Sequence, residues 1–422
     1  MKIFIVICGI LIIACLAVEK HFAARHRRAL KHVIHVNGTR GKSAVTRLIA
    51  AGLSEGGVKT YCKTTGTLPM VINTAGEEIE IKRLGKANIV EQIKILSAAY
   101  KDGAEALVLE CMAVDPELQY ICEHKILHAD IAVITNARVD HVAEMGDTTQ
   151  KVCDALCNTI PEGGVVFTSD KDAFAQMQQR AAALGSQAVL ADTYDFDTSL
   201  YLFPENIALA LAVCEAAGVD RETALRGMGH VKPDPYEAAA FDIGCSRREG
   251  AGAGETGAGS EGAGGGITFV NGMSANDPAS TAMVYERFSH LKTENGKFVI
   301  VLNTRPDRGY RTNLMIDYVM SAQPDEVWLL GSGARVAARK LSAGDAGGQK
   351  SAATATAAGK AGGQNVAPSG IPCRIYKKAA ELPLHDLPCG SMIYAIGNIA
   401  NEGFELMDIV QADTQIKEKE ES

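Results

Sequence analysis

A short glycine-rich segment near the start of the chain has the residue types that bind phosphate. The sequence GTRGKS, residues 38–43, follows the apolar run HVIHV and precedes the helical pattern AVTRLIAAGL. In such a unit, backbone N–H groups and the helix N-terminus surround phosphate oxygens, a lysine adds charge, and a serine hydroxyl can bind Mg²⁺. The pattern therefore predicts a nucleotide site, with a helix-capping turn as the alternative. Its members are Gly38, Thr39, Arg40, Gly41, Lys42 and Ser43.

Two apolar runs further along the chain end in residues that would complete such a site. Glu110 closes the run EALVLE, at the point where a second phosphate-loop element supplies a metal ligand. The run DIAVITN ends in Asn136 and leads into Asp140 and His141. Ligands of open α/β sheets bind at the carboxyl ends of the strands, so we expect Glu110 and His141 beside the phosphate loop. A structural histidine at a strand end is the alternative for His141.

Two polar clusters are candidates for binding an acidic substrate. Forked guanidinium donors suit carboxylates and phosphates, and they stabilise negative charge that develops during a reaction. A solvated helix start with local ion pairs is the alternative for the arginines, and a turn or cap is the alternative for the threonines. The clusters are Arg305, Arg308 and Arg311, and Thr64, Thr65 and Thr67.

The elements that must position these residues alternate between apolar strands and helices. The alternation predicts an α/β fold with two parallel-sheet units, a domain at 32–232 that contains the predicted nucleotide site and a second α/β domain at 267–422. Residues 233–266 form a predicted junction, and Gly- and Ala-rich stretches there and at 343–370 are predicted to be insertions or linkers. Ligands favour clefts between such domains, so we expect the site between the two units.

The N-terminal residues predict a membrane anchor. The run from Ile3 to Val18 has 16 residues without a charge, which is about 24 Å of helix. Basic residues follow this run and only Lys2 precedes it, so the remainder of the chain is predicted to be cytoplasmic. We predict an anchor at 1–20 and a basic juxtamembrane linker at 21–31 that faces anionic lipid. A cleaved secretory or lipoprotein signal is the alternative.

Composition and charge exclude several classes of protein. The 422 residues predict two or three domains, and the net charge of −8 gives the whole chain no electrostatic attraction to nucleic acid. The 11 cysteines are scattered, with no CxxC pair. They argue against a disulfide framework or a structural zinc site and favour the reducing cytosol.

Several motifs in order along the chain resemble one family of ligases. They include VNGTRGKSAVTRLIA, YCKTTGT, LVLECMAVDPELQ, ITNARVDHVAEMG, FPENIALA, FVNGMSANDPAST, VLNTRPDRGYRT and AIGNIANEG. Together they resemble the ATP-dependent ligases of the Mur and folylpolyglutamate synthase superfamily, and more closely the ligase subunits of poly-γ-glutamate synthase. The resemblance extends from residue 32 to about residue 405, and it implies a Mur-ligase-like ATP-binding domain followed by a Rossmann-like C-terminal domain.

The resemblance also implies cofactors and residue roles. ATP would bind with Mg²⁺ or Mn²⁺, and the metal ligands would be Ser43, Glu110 and His141. Asn136 would support the phosphates and Asn206 would lie against adenine, while Asn271 and Gly272 stand where the superfamily has a ribose-binding aspartate. The residues expected to act in catalysis are Lys42, Glu110, His141, Asn276, Arg305 and Arg308.

The implied reaction joins glutamates through their γ-carboxylates. ATP converts a carboxylate into an acyl phosphate, an amine of another glutamate attacks it, and the poly-γ-glutamate chain grows with release of ADP and phosphate. The resemblance and the single membrane segment imply membrane-embedded partner subunits for export of the polymer. A related ligase with another acceptor and a nucleotide-gated scaffold of a membrane complex are the alternatives.

Overall fold

The computed structural model describes residues 2–66, 68–83, 85, 87–198, 203–231, 238–245, 266–275, 277–306, 309–343, 365–366 and 371–421. Three candidate site residues, Thr67, Asn276 and Arg308, lie outside the described residues, as do most of the two Gly- and Ala-rich stretches. The chain divides into two compact units, Met1–Pro233 and Asp234–Ser422.

An eight-stranded sheet forms the centre of the first unit, in the order β4-β3-β2-β5-β1-β6-β7-β8. Six of its strands pair in parallel, which confirms the predicted parallel sheet. Five of them are the predicted strands, and β2 was not predicted because its sequence TYCK is not a continuous apolar run. β3 and β4 extend one edge as an antiparallel pair that was not predicted. The strands are β1 (His32–Asn37), β2 (Thr60–Lys63), β3 (Met70–Ile72), β4 (Glu78–Glu80), β5 (Ala106–Glu110), β6 (Ile131–Ile134), β7 (Val165–Thr168) and β8 (Gln187–Leu190).

Helices cover both faces of this sheet. On one face, α2 contacts α8 and α9, and Val45, Ile49 and Leu53 of α2 are buried against β1 and β5. This packing fixes the helix that begins at the phosphate loop. The helices are α1 (Lys2–Ala29), α2 (Lys42–Glu55), α3 (Glu91–Lys101), α4 (Pro116–Ile121), α5 (Val142–Met145), α6 (Thr149–Leu156), α7 (Lys171–Ala183), α8 (Pro204–Ala216) and α9 (Arg221–Met228), with a π-helix at Cys122–Leu127.

The N-terminal helix continues past the predicted anchor. The segment predicted as a linker at 21–31 is helical up to Ala29, because it contains good helix formers such as Ala23, Ala24 and Arg25 and has no glycine or proline. The large apolar side chains between Ile3 and Val18 are exposed. Among the helices of the described residues, α1 has the length and apolar composition needed to cross a membrane.

The second unit is built around a seven-stranded sheet in the order β13-β14-β12-β11-β15-β10-β9. Its five central strands are parallel, as predicted, and β9 and β13 are antiparallel edge strands. β9 lies within the predicted junction at 233–266. The strands are β9 (Ala239–Ile243), β10 (Ile267–Asn271), β11 (Phe298–Asn303), β12 (Glu326–Leu330), β13 (Asn365–Val366), β14 (Pro372–Ile375) and β15 (Met392–Gly397); the helices are α10 (Pro278–Phe288), α11 (Gly309–Ala322), α12 (Ala334–Ala343) and α13 (Glu402–Glu421).

A disulfide joins two distant parts of the second unit. Cys245, just after β9, is bonded to Cys389, shortly before β15, at a sequence separation of 144 residues. The other nine cysteines are free. The scattered cysteines argued against disulfide bonds, and this pair corrects that expectation, because the fold brings together two residues that are far apart in the sequence.

Reduction of this disulfide is expected to destabilise the second unit. Opening so long a loop costs about 2–5 kcal/mol through the entropy of the unfolded chain. We therefore expect a reducing agent to lower the Tm of the oxidised protein by several degrees in a thermal unfolding experiment. The double variant Cys245→Ser/Cys389→Ser should unfold at the reduced protein's Tm and should not respond to the reducing agent. Equal Tm values for the oxidised and reduced protein would contradict this expectation.

Candidate functional site

The phosphate loop connects β1 to α2 through two glycines with positive φ. Gly38 has φ +128° and Gly41 has φ +80°. A Cβ atom on Gly38 would lie 2.0 Å from Thr135 Oγ1, and one on Gly41 would lie 2.9 Å from Asn206 Oδ1. Both positions therefore require glycine, for their backbone conformation and for lack of space. Asn206, at the start of α8, thus lies against the loop at Gly41.

The substitution Gly38→Ala is expected to weaken nucleotide binding at least tenfold, because the new methyl group displaces either the loop or Thr135. Calorimetric titration of the full chain with a non-hydrolysable ATP analogue measures this loss. Gly57→Ala is the matched control, since Gly57 has φ +79° but its Cβ would meet nothing within 4 Å. The control shares the backbone strain and should bind the analogue normally. Equal affinities of both variants would contradict the expected role of Gly38.

Residues that follow β6 hold the backbone of the loop. Asn136 accepts a hydrogen bond from Arg40 N at 3.1 Å through Oδ1 and donates one to Arg40 O at 3.1 Å through Nδ2. Thr135 Oγ1 also donates to Arg40 O, and Thr39 Oγ1 donates to Arg138 O at 2.8 Å. Asn136 was predicted on the phosphate side and here fixes the peptide groups of the loop. Thr135 was not predicted as a site residue.

Ser43 and Glu110, two of the predicted metal ligands, are in direct contact. Ser43 Oγ donates to Glu110 Oε2 at 2.8 Å, and the backbone N–H of Thr65 donates to the same oxygen at 2.6 Å. Glu110 is 3% exposed at the end of β5. A carboxylate and a hydroxyl are hard oxygen ligands of the kind that Mg²⁺ binds together with water and phosphate. The two side chains therefore fit a Mg²⁺ ion that is completed by nucleotide.

In the described part of the chain, no group of three or more His, Cys, Asp or Glu residues could hold a metal ion. Mg²⁺ commonly keeps several waters and binds through one or two carboxylates and substrate phosphates. A site at Ser43 and Glu110 would be of that kind.

Lys42 folds back over the loop that precedes it. Its Nζ atom donates a hydrogen bond to Gly38 O at 2.7 Å. Burial lowers the pKa of Lys42, while the negative charge of Glu110 acts in the opposite direction. The ammonium group therefore lies over the region that the loop amides surround, with a carboxylate nearby.

His141 is positioned through its neighbour Asp140. Asp140 Oδ2 pairs with Arg40 Nη1 at 2.7 Å and lies 3.8 Å from His141 Nε2, while Asp140 Oδ1 accepts from the backbone N–H of His141 at 2.9 Å. His141 has φ +48°, and its side chain is 27% exposed. Asp140 links His141 to the phosphate loop, although it was not among the predicted site residues.

A buried lysine lies directly before the predicted threonine cluster. Lys63, at the end of β2, is fully buried; its Nζ atom contacts Glu91 Oε1 at 2.7 Å and Gln92 Oε1 at 3.1 Å. Burial lowers the pKa of Lys63, and Glu91 opposes this effect. Burial acts to raise the pKa of Glu91, but hydrogen bonds from Arg83 and Lys63 lower it to about 2. The network stabilises the strand end that leads to Thr65.

Thr64 and Thr65 make their contacts near the site through backbone groups. Thr64 exchanges backbone hydrogen bonds with Met70 and so begins the β2–β3 hairpin. Thr65 binds Glu110 through its N–H group. Lys63 was missed because a lysine at the end of a short apolar run resembles an exposed strand end, and its partner Glu91 lies on a different element.

In the second unit, two of the three predicted arginines lie together. Arg305 and Arg311 line a depression at the carboxyl ends of β11 and β15, with Thr312, Asn303 and Asn398 on its walls. Two guanidinium groups and a hydroxyl at one sheet edge suit an anionic group.

Asn271 and Gly272 have structural roles at the end of β10. Asn271 is buried and accepts a hydrogen bond from Met273 N at 3.1 Å. A Cβ atom on Gly272 would lie 2.4 Å from the ring of Tyr394. Asp277 caps α10 by accepting from Ser280 N at 2.9 Å. These contacts account for part of the motif that surrounds Asn276.

Two family descriptions match the chain. "Mur ligase middle domain" matches residues 36–216, and "Poly-gamma-glutamate synthase CapB C-terminal domain" matches residues 260–413. The first match covers the phosphate loop, Glu110, His141 and Asn206, and the second covers the depression with Arg305 and Arg311.

Two curated relatives cover most of the chain. "PGA synthase CapB" of Bacillus subtilis (strain 168) is 33% identical over 341 residues, which are 78% of this chain and 82% of the relative. "Capsule biosynthesis protein CapB" of Bacillus anthracis is 35% identical over 319 residues, which are 74% of this chain and 65% of that relative. The match therefore spans just under two thirds of the anthracis protein.

Solved structures show the same fold at low sequence identity. A bifunctional folylpolyglutamate synthase/dihydrofolate synthase from Yersinia pestis has a TM-score of 0.63 at 14% identity, and covers 93% of this chain and 92% of its own. E. coli FolC in complex with DHPP and ADP has a TM-score of 0.61 at 15% identity, with coverages of 93% and 92%. A further bifunctional synthase, with Mn, AMPPNP and L-glutamate bound, has a TM-score of 0.61 at 14% identity, with both coverages 93%.

Proposed function

Because the chain belongs to the CapB family of poly-γ-glutamate synthases and has the Mur-ligase fold, we propose that it is an ATP-dependent amide ligase that makes poly-γ-glutamate. The single structural observation that supports this proposal best is the contact of Ser43 with Glu110 at 2.8 Å, next to the glycine loop. Enzymes that transfer phosphoryl groups combine a phosphate-binding loop with oxygen ligands for a metal ion, and an ATP-dependent ligase needs the same combination.

The residues of the first unit would bind and orient ATP. The loop amides between Gly38 and Ser43 surround the phosphates, and Lys42 places its charge beside the outer ones. Mg²⁺ or Mn²⁺, held by Ser43 and Glu110, would supply charge neutralisation at the transferred phosphoryl group. His141 is proposed as a further metal ligand, and Asn206 as the residue against adenine.

The reaction would form an acyl phosphate and then an amide. A glutamate γ-carboxylate oxygen attacks the γ-phosphorus of ATP and ADP leaves; the amine of a second glutamate then attacks the acyl carbon, loses a proton, and phosphate leaves. Negative charge increases in both steps, so preorganised cations lower both barriers. Outside the described residues, Asn276 and Arg308 stay proposed catalytic residues.

The acidic substrate would bind to cations of the second unit. Arg305 and Arg311 lie in one depression and can form charge-assisted hydrogen bonds with carboxylates. Glutamate and the growing chain carry such groups, and one structure of similar fold was solved with L-glutamate bound. Thr64, Thr65 and Thr67 are weaker candidates for the same substrate.

The protein is proposed to be a single-pass membrane protein with both units in the cytoplasm. This rests on the apolar helix α1 and on the basic residues that follow its apolar part, which would face anionic lipid. Export of a polymer requires membrane-embedded partner subunits, and no nucleic acid partner is expected for a chain of net charge −8.

ADP release by the full chain in membranes, with and without glutamate, tests this function. We expect release to depend on glutamate and an acid-labile acyl phosphate to be trapped when the acceptor amine is blocked. Arg311→Gln should raise the KM for glutamate at least tenfold without changing ATP affinity. Nucleotide turnover that ignores glutamate would contradict the proposal and favour another acceptor or a scaffold.

A further inference from the structure

The end of the N-terminal helix is bound to the first unit through one side chain. Arg27 Nε donates to the carbonyl groups of Leu127 at 2.9 Å and His128 at 2.8 Å, at the end of the π-helix. Its Nη2 atom pairs with Asp130 Oδ1 at 2.8 Å. The Arg27 side chain is only 14% exposed. The guanidinium therefore uses its fork to satisfy carbonyl groups at a helix end together with a carboxylate.

Asp130 extends this contact to the central strand of the sheet. Its second oxygen, Oδ2, accepts a hydrogen bond from Val33 N of β1 at 2.8 Å. Asp130 thus binds α1 on one side and the first residues of β1 on the other. The segment between Ala29 and His32 is too short to separate the two elements.

A second contact lies one residue before Arg27. The ring of His26 stacks on the ring of Tyr100 in α3, with 4.5 Å between the centroids and 23° between the planes. Lys101 is the next residue and is exposed at the end of α3. α1 therefore contacts the first unit at two places, which a flexible tether would not do.

The distance from the apolar segment to these contacts is short. Arg27 lies nine positions after Val18, which is about 14 Å of helix at 1.5 Å per residue. The headgroup layer is roughly 5–8 Å thick on each side of the hydrocarbon. The contact at Arg27 therefore lies within about one Debye length of the headgroups, where lysine and arginine side chains are attracted to anionic lipid.

The two ends of the strands in the first sheet then have different surroundings. The contact with α1 lies at the first residues of β1, and the phosphate loop follows its last residue. These two points are about 20 Å apart for a strand of 6 residues. A rigid α1 would keep the nucleotide site on the side of this unit that faces away from the membrane.

We propose that α1 is rigidly attached to the first unit by Arg27, and that this attachment holds the end of α3, with Lys101, against anionic phospholipid headgroups. The proposal rests on the membrane location of α1 proposed above. In this proposal the end of α3 contacts the membrane in addition to the basic residues at the end of α1, which are Arg25, Arg28 and Lys31.

Hydrogen exchange of the full chain in lipid nanodiscs tests the attachment. We expect Arg27→Gln to accelerate exchange of the amides between residues 24 and 33 about tenfold, because the helix end loses its charged contacts. Arg28→Gln is the matched control, since it removes the same charge from the exposed neighbouring position and should leave the exchange unchanged. Arg27→Lys keeps one charge for Asp130 and should show an intermediate rate. Equal rates in Arg27→Gln and the wild type would overturn the attachment.

The lipid contact has its own measurement. Amides of α3 are expected to exchange at least threefold more slowly in nanodiscs of phosphatidylglycerol than of phosphatidylcholine, and Lys101→Gln should abolish this difference. Lys171→Gln, at the opposite edge of the sheet, is the control and should retain it. Exchange in α3 that is independent of lipid charge would overturn the lipid contact.

These measurements do not use turnover. The attachment could therefore be confirmed even if ADP release did not depend on glutamate. Conversely, the attachment could be overturned while glutamate-dependent ADP release is observed.

Discussion

Replacement of Lys42 by methionine is expected to lower kcat for ADP formation about 10³-fold, the size of effect seen when one preorganised charge partner of a developing anion is removed. Methionine keeps the unbranched stem of the side chain but cannot neutralise phosphate charge. The contact of Lys42 Nζ with Gly38 O at 2.7 Å places the ammonium over the loop, which is the reason for so large an effect. Steady-state ADP release by the full chain in membranes measures it.

The control for this variant is Lys59→Met, which removes an exposed lysine of the same unit. It should retain activity within twofold. Because burial lowers the pKa of Lys42, we also expect kcat/KM for ATP in the wild type to fall as the pH rises, starting below the range of an ordinary lysine. Turnover of Lys42→Met within tenfold of the wild type would show that the loop amides suffice.

The substitution Glu110→Gln is expected to raise the Mg²⁺ concentration for half-maximal activity by about 10–100-fold and to lower kcat. Glutamine fills the same volume and can still accept the hydrogen bond from Thr65 N, but it has no charge for the metal. The variant therefore separates metal binding from the structural role of the side chain. A Mg²⁺ titration of ADP release is the measurement, and Mn²⁺ is expected to restore part of the activity.

Glu123→Gln is the matched control for Glu110→Gln. Glu123 is also a buried carboxylate of the first unit, but it pairs with His35 at 2.8 Å on the π-helix side of β1. Its loss should reduce thermal stability and leave the Mg²⁺ midpoint unchanged. An unchanged midpoint in Glu110→Gln itself would exclude Glu110 as a metal ligand.

The parts of the fold that were predicted correctly depend on local patterns. Continuous apolar runs such as the one ending at Glu110 are buried on both faces of a parallel sheet, so their composition alone indicates central strands. The glycines of the loop were recognisable because positive φ and close packing select glycine. The position of Glu110 beside Ser43 followed from the rule that parallel strands end at one edge.

The parts that were missed depend on contacts between distant residues. The edge strands β4 and β9 are only 3 and 5 residues long, and β4 is exposed along its whole length, so their pairing is decided by the neighbouring strand. Lys63 is buried in an ion pair with Glu91, and no local feature of its strand marks it as buried. The disulfide between Cys245 and Cys389 could not be predicted from a local pattern either, since the two residues have a sequence separation of 144.

The amino-acid sequence by itself determined the class of fold, the position of the phosphate loop and the apolar helix at the start of the chain, because these follow from backbone conformation and from hydrophobic periodicity over a few residues. Only the tertiary structure decided that Asp140 joins His141 to the loop and that Arg27 binds the end of a π-helix about 100 residues later in the chain. Ion pairs and hydrogen bonds of this kind form wherever folding brings a donor and an acceptor together, and no local pattern of residues encodes that meeting.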